Sequence, residues 1–244
     1  MNIFNSLGSN YNFNFVIQSL FATSQDSFNQ NLEKFLEDKY KGKAILLYKG
    51  REAIELALKL SNLPTDSYVA INGFTCYAVY EAVKKAGFNV EYLDIKGGEL
   101  NFSPEILQNK VKENPKIKAV IIQNTLGYPC QIKEITKICK DNVIILIEDL
   151  AHCVGTKYGD GTEAGTIGDF TVLSFSQDKI IDGISGGSLI VKNDSTSQEF
   201  ARVNTNQQLK DRFYPLLTFL IRETYNFGLG KILHLLVKNL KLLS

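Results

Sequence analysis

The chain has 244 residues, of which 44% are hydrophobic, and this is enough to build the core of one large α/β domain. Its 27 Lys and Arg residues are intermixed with 26 Asp and Glu residues, which leaves a net charge of +1. That balance argues against a nucleic-acid partner, which would need a basic surface, and against a solvating acidic tail. No apolar run reaches the roughly 18 residues of a membrane-spanning helix, so we expect no span.

The cysteines are widely separated and show no CxxC spacing. The sequence therefore predicts neither a structural zinc site nor a disulfide framework. We expect no bound metal and a reducing, cytoplasmic location. The four cysteines are Cys76, Cys130, Cys139 and Cys153.

Three regions follow from the patterns along the chain. Residues 1–43 predict an N-terminal helical segment, because a polar opening leads into a charged helical stretch over residues 25–40. Residues 44–194 alternate between strand and helix patterns, as is typical of βαβ units and a largely parallel sheet. Residues 195–244 predict a C-terminal helical extension.

A glycine separates the first strand and helix of the core. Residues 44–48 predict a strand, Gly50 a turn, and residues 52–60 a helix with its apolar side toward the core. A glycine before a helix N-terminus favours anion binding, because free N–H groups and the helix dipole converge there. We assign a phosphate to this turn; the alternative is an ordinary βα turn.

The middle of the chain continues the alternation. Strands are predicted over residues 67–71, 90–94 and 117–123, with a helix over residues 103–111 that begins with a strong N-terminal signal. Asn124 follows the last of these strands. Its side chain is equally suited to contact a ligand or to satisfy backbone groups of its own loop.

An acid and a lysine stand at two later strand ends. The apolar run over residues 143–147 leads into Glu148 and Asp149, and acids at the end of a parallel strand point into the ligand crevice. Lys179 lies between a predicted strand around residues 172–175 and a glycine-rich return, and a partly desolvated lysine can attack a carbonyl. Pyridoxal phosphate needs this pair, a lysine for its aldehyde and a carboxylate for its pyridinium nitrogen. Taken alone, Lys179 would be interpreted as a solvated surface charge.

Five motifs follow one another over residues 45–191: Gly50-Arg51-Glu52-Ala53, Asn124-Thr125-Leu126-Gly127-Tyr128-Pro129, Glu148-Asp149-Leu150-Ala151-His152, Gly165-Thr166-Ile167-Gly168-Asp169, and Ser174-Phe175-Ser176 with Lys179 and Gly186-Gly187. Together, and in this order, they resemble the motifs of the DegT/DnrJ/EryC1/StrS family of fold-type-I pyridoxal-phosphate enzymes. The resemblance implies an α/β fold with three layers, a mainly parallel sheet between helices. It also implies amino transfer from an amino acid donor to a keto sugar, usually one linked to a nucleotide, by a homodimer.

The same resemblance implies a role for each site residue. Lys179 is the implied catalytic residue and cofactor anchor, and Asp149 the implied partner of the ring nitrogen. The other implied cofactor-binding residues are Gly50, Arg51 and Ser174 at the phosphate, Asn124 near the ring and His152 near the ring oxygen. Many relatives have an aromatic stacking residue where this chain has Cys76, so Phe74, Cys76 and Tyr77 all remain candidates for that contact.

Two alternatives to amino transfer remain open at this point. One is a sugar dehydratase of the same family, although dehydratase relatives replace the lysine with histidine, and Lys179 favours transfer. The other is a cofactor-binding domain without turnover.

The C-terminal region is apolar and aromatic over residues 213–243, with interspersed basic residues. It could lie on a membrane surface, but packing against the domain or a second subunit is favoured, because Pro215, Gly228 and Gly230 are expected to interrupt any long helix. Family members continue into a smaller C-terminal domain. We expect that domain to be absent here and the extension to be truncated.

Overall fold

A computed structural model describes residues 10–22, 26–95, 97–192 and 205–240 of the chain. Seven strands and eight α-helices lie within these residues, with short 3-10 turns at Thr125–Gly127 and Tyr225–Phe227. The strands are β1 Lys43–Leu47, β2 Tyr68–Asn72, β3 Asn89–Leu93, β4 Ile117–Ile122, β5 Ile145–Asp149, β6 Phe170–Ser174 and β7 Gly187–Val191. The helices are α1 Phe13–Phe21, α2 Asp26–Tyr40, α3 Gly50–Leu60, α4 Tyr77–Lys85, α5 Pro104–Glu113, α6 Ile132–Asp141, α7 Thr205–Thr224 and α8 Leu229–Asn239.

All seven strands form one sheet in the order β1-β7-β6-β5-β4-β2-β3. The pairs from β6 through β5, β4 and β2 to β3 are parallel, whereas β7 is antiparallel to both of its neighbours, β6 and β1. Because β7 runs in reverse, it begins with Gly187 at the edge where β5 and β6 end. This edge collects the ends of most strands and is where ligands bind in open α/β sheets.

Helices cover both faces of the sheet and produce three layers. Neighbouring residues of a strand face opposite sides, so Leu146 packs with α2, α5 and α6, while Ile147 packs with α3 and α4. All residues of β6 and β7 are buried, as expected for strands covered on both faces. The predicted α/β architecture with a mainly parallel sheet is confirmed.

One strand begins later than its apolar pattern predicts. The run from Val143 predicts a strand, but β5 begins at Ile145. Val143 is exposed, has a positive φ of 53°, and lies in the turn where the Ile144 N–H bonds to the Cys139 carbonyl oxygen. The turn after α6 therefore takes the first two residues of the run.

The long helix α7 corrects another expectation. Pro215 does not interrupt it, and α7 runs for 20 residues. A proline inside a helix costs about 3 kcal/mol. Packing against α1 offsets this cost, because Tyr214 lies beside Pro215 in a buried cluster with Tyr11 and Val16.

Of the two glycines expected to interrupt a helix in the C-terminal region, Gly228 does so, whereas Gly230 lies within the first turn of α8. Gly228 ends the turn after α7 with a positive φ of 84°, and α8 begins at the next residue. The predicted boundary between residues 194 and 195 lies outside the described residues. Among the helices within the described ranges, none is long and apolar enough to cross a membrane.

Candidate active site

A cavity of about 260 Å³ opens at the edge of the sheet where the parallel strands end. Its wall contains Gln123 just after β4, Asp149 at the end of β5, and Ser174 at the end of β6. The first turn of α3 and the loop that carries Lys179 complete it. The cavity therefore occupies the position where this class of sheet binds ligands.

Asp149 is a buried acid at the centre of the cavity wall, and only 3% of its surface is exposed. Its Oδ1 accepts a hydrogen bond from the Ala151 N–H at 3.0 Å, and its Oδ2 accepts one from Gln123 Nε2 at 3.0 Å. Burial raises the pKa of this carboxyl, whereas the two hydrogen bonds and the charges of Lys179 and His152 lower it. The ionised form of Asp149 thus depends on these neighbours.

Lys179 reaches the cavity from a loop rather than from the strand end itself. It lies five residues beyond the end of β6, in a turn where its N–H bonds to the Ser176 carbonyl oxygen. Its Nζ lies 3.1 Å from His152 Nε2. Burial, and then the positive charge of Lys179, lower the pKa of His152, while the charge of Asp149 opposes this. The neutral ring that results can accept a hydrogen bond from Lys179 Nζ.

The first turn of α3 closes the other end of the cavity. A Cβ on Gly50 would lie 2.7 Å from Ser174 Cβ, and a Cβ on Gly187 would lie 2.6 Å from the Gly50 nitrogen. The turn therefore approaches the last residue of β6 and the first residue of β7 too closely for Gly50 or Gly187 to have a side chain. Lys49, the N-cap residue, makes no capping hydrogen bond through its side chain.

Two further side chains stand at this end. Ser174 is buried, lines the cavity, and has no hydrogen-bond partner for its hydroxyl among the described residues. Arg51 is exposed at the cavity mouth, where its Nη1 lies 2.7 Å from Glu81 Oε2. A helix N-terminus with a serine hydroxyl and an arginine beside it is suited to an anion.

The model of the DegT/DnrJ/EryC1/StrS aminotransferase family matches residues 13–221, most of the chain. The chain belongs to this family. GDP-perosamine synthase of Vibrio cholerae is 29% identical to it over 169 residues, which are 69% of this chain and 44% of that protein.

Solved structures share the fold of this chain. An aminotransferase from Psychrobacter cryohalolentis superposes with a TM-score of 0.67 at 20% identity, over 84% of this chain and 51% of that one. GDP-4-keto-6-deoxy-D-mannose-3-dehydratase of E. coli, solved with bound hydrated PLP, superposes with a TM-score of 0.65 at 22% identity, over 77% of this chain and 51% of that one. The chain thus spans about half the length of the relatives that it matches.

Asn124, one of the residues singled out by the family resemblance, does not line the cavity. It is buried, its Nδ2 donates to Tyr158 Oη at 3.0 Å, and its Oδ1 accepts from the Cys130 N–H at 2.8 Å. Its positive φ of 45° belongs to the turn after β4. The structure therefore uses its side chain to hold the loop after β4.

The three candidates for the stacking contact lie in different places. Cys76 lines the main cavity, and it also lines a neighbouring cavity of about 230 Å³ together with Phe74. Tyr77 lines neither cavity and is tilted against Tyr80, with ring centroids 5.5 Å apart. Tyr48, which the sequence did not single out, also lines the main cavity.

The glycine motif of the family supports a second buried acid. Glu148 is fully buried, and its side chain accepts from the N–H groups of Gly165, Ile167 and Gly168 at 2.6–2.8 Å, and from Tyr158 Oη at 2.8 Å. This carboxylate ties the loop before β6 to the end of β5, beside Asp149. The acid motif thus contains one acid for the scaffold and one for the cavity.

Sequence reasoning missed Gln123, which contacts Asp149 directly. A polar residue at the end of the apolar strand β4 was a visible signal, but Asn124 next to it fitted the family motif. The register of β4 with β5 decides between them. Ile122 pairs with Glu148, so the next residue, Gln123, lies beside Asp149 with its side chain on the same face of the sheet.

Proposed function

We propose that this chain forms the cofactor-binding part of a pyridoxal-phosphate-dependent aminotransferase. Its reaction would move an amino group from an amino acid to a keto sugar, one linked to a nucleotide. Family membership supports this proposal, as do relatives named GDP-perosamine synthase and UDP-4-amino-4,6-dideoxy-N-acetyl-beta-L-altrosamine transaminase. The observation that carries it is the shared cavity of Asp149 and Lys179.

The residues of the cavity fit pyridoxal phosphate at both ends. At one end, Gly50 and Gly187 allow the first turn of α3 to lie against the end of β6 and the start of β7. This turn stands beside Arg51 and Ser174, whose hydroxyl has no hydrogen-bond partner among the described residues. These groups would hold the phosphate. At the other end, Lys179 Nζ would attach the cofactor, and the buried Asp149 would hold a proton on its ring nitrogen.

When bound, the cofactor supplies an aldehyde for amine capture and an electron sink. The chain's own part is to place charge and move protons. The Asp149 carboxyl group has a fixed position, because its oxygens accept hydrogen bonds from Ala151 and Gln123, and these bonds favour its ionised form. Lys179 Nζ can carry a proton, and the neutral His152 beside it can accept one of its hydrogen bonds.

Two observations bear on the alternatives. The fold matches a dehydratase as well as aminotransferases, so fold alone does not separate these reactions. Lys179, in place of the histidine expected of a dehydratase, favours transfer. A domain that binds the cofactor without turnover is separated from both by the donor half-reaction.

We further propose a homodimer that works in the cytoplasm. The exposed apolar side of α8 supports association with a second copy. The four cysteines, all free and two of them buried, fit a reducing compartment.

The test is the absorption spectrum of the protein with pyridoxal phosphate, before and after addition of glutamate. We expect a visible band on binding and its loss with the donor. Asp149→Asn should still bind the cofactor, but its half-reaction should fall by about 10²-fold or more, as for a lost electrostatic partner of the reacting group. A half-reaction close to wild type in this variant would contradict the role of Asp149. A wild-type chain without a visible band would contradict the proposed function.

A further inference from the structure

Gln123 and Asp149 are brought together by the register of two central strands. Ile122 at the end of β4 pairs with Glu148 of the parallel strand β5. The next residues along the two strands are Gln123 and Asp149, and their side chains lie on the same face of the sheet. Gln123 Nε2 donates to Asp149 Oδ2 at 3.0 Å.

A second hydrogen bond fixes the orientation of this amide. The Thr75 hydroxyl, from the segment between β2 and α4, donates to Gln123 Oε1. An ionised carboxylate only accepts hydrogen bonds, so it needs the nitrogen side of the amide. With Oε1 held by Thr75, only Nε2 remains to face Asp149.

We propose that Thr75 and Gln123 are positioning residues that fix the orientation and charge of the Asp149 carboxylate. This proposal rests on the proposed function, because Asp149 is the group assigned to the ring nitrogen of the cofactor. The three side chains form a relay from the loop after β2, across the end of β4, to the end of β5. Neither Thr75 nor Gln123 needs to touch the reacting atoms.

The electrostatics of the cavity give the relay a measurable effect. Burial raises the pKa of Asp149, and the hydrogen bond from Gln123 acts against this increase. The other groups that face Asp149 are the Ala151 N–H and the side chains of Lys179, His152 and Cys153. Each of these remains in a Gln123 variant, so a further increase in the pKa of Asp149 reports the loss of the Gln123 bond.

The experiment measures the pKa of Asp149 in the cofactor-free protein by carboxyl carbon NMR, with Asp149→Asn to assign the signal. Gln123→Leu should raise this pKa and weaken pyridoxal phosphate binding about tenfold, as expected when a hydrogen bond to a charged group is lost. Thr75→Val should produce a smaller change in the same direction, because the amide is then free to rotate. Thr75→Ser keeps the hydroxyl and should behave like the wild type.

The outcomes separate this proposal from the proposed function. An unchanged pKa of Asp149 in folded Gln123→Leu would overturn the positioning role, whatever the cofactor affinity. If Gln123→Leu does not fold, the comparison of Thr75→Val with Thr75→Ser provides the test. Equal pKa values of Asp149 in those two variants would overturn the positioning role. A raised pKa in a protein that binds no pyridoxal phosphate would support the relay while the proposed function fails.

Discussion

At the scale of single residues, the contact between Lys179 and His152 is the most informative feature of the cavity. The two side chains lie 3.1 Å apart, and the charge of Lys179 adds to burial in lowering the pKa of His152. Asp149 lies in the same cavity and adds the opposite charge. Substitution of either partner should therefore have an effect that is visible even without turnover.

Lys179→Ala should abolish covalent attachment of pyridoxal phosphate while the fold is retained, because Nζ is the group proposed to attach it. Borohydride reduction followed by mass spectrometry measures the attachment. Lys137→Ala, which changes an exposed lysine of α6, is the matched control and should still be labelled. Labelling of the Lys179→Ala protein at the wild-type level would contradict the assignment.

His152 makes the stability of the folded protein depend on pH. Its pKa in the folded protein is lowered from the ordinary value of 6.5, mainly by burial. The unfolded chain therefore binds more protons below about pH 6.5, and the folded state loses stability as the pH falls through that value. His152→Gln removes this penalty.

The melting temperature of His152→Gln should therefore fall less than that of the wild type between about pH 7 and pH 5. Circular dichroism melts at several pH values measure the difference. His234 of α8 is present in both proteins, so it cancels in the comparison. Parallel acid dependence of the two proteins would show that His152 titrates normally in the folded state.

The sequence predicted the residues of the site best where chemistry and position agree. Asp149 ends a strand and Lys179 lies in the loop after another, and the structure brings both side chains into one cavity. Asn124 and Gln123 are adjacent amides, and only the register of β4 with β5 shows which of them faces Asp149. Pairing between distant strands decides such cases, and local pattern does not contain it.

At the scale of elements, the contact of α3 with β6 and β7 shapes the anion end of the cavity. Gly50 begins the helix and Gly187 begins β7, and both backbones lie within contact of each other. The glycines were predicted to be turn residues. Both positions need glycine for a different reason, because two elements that are far apart in the chain approach each other closely there.

Gly187→Ala should destabilise the protein by about 1–3 kcal/mol, since the new Cβ would lie 2.6 Å from backbone atoms of Lys49 and Gly50. It should also weaken pyridoxal phosphate binding, because α3 must move. Urea unfolding and a cofactor titration measure the two effects. Gly159→Ala, where a Cβ meets nothing within 4 Å, is the control and should match the wild type. Equal stability of Gly187→Ala and Gly159→Ala would show that the backbone of α3 moves away from the new Cβ without a loss of stability.

Secondary structure was predicted well where apolar periodicity is strong, and the order of the strands was not predicted at all. The reversed strand β7, between β6 and β1, depends on tertiary pairing across most of the core. Pro215 shows that a local rule can also predict a helix break that the structure does not contain. Burial of its neighbour Tyr214 against α1 maintains a helix that a proline would otherwise interrupt.

At the scale of the whole molecule, α8 presents an apolar side to solvent. Its buried residues are Gly230 and Val237, and Gly230 lies against Ile221 of α7 and Tyr225 in the turn before α8. The exposed apolar residues, each 53–66% exposed, are Leu229, Ile232, Leu235, Leu236 and Leu240. Exposed apolar patches of this kind are typical of interfaces.

We expect the protein to self-associate through this side of α8. Sedimentation velocity over a range of concentrations should show association in the wild type and a reduction of it in Leu236→Lys. Val143→Lys introduces the same charge at an exposed apolar residue elsewhere and should associate like the wild type. If Leu236→Lys and Val143→Lys sediment alike, α8 is not the interface.

The pairing of β1 with β7 also determines when the anion site can form during folding. β1 precedes almost the entire core, and its hydrogen-bonded partner is the last strand of the sheet. Contacts between such distant parts of a chain form slowly, because a large loop must close first. Gly50 has its final neighbours, Ser174 and Gly187, only when that loop is closed. Capture of the cofactor phosphate should therefore be among the last events of refolding, and its onset reports closure of the sheet.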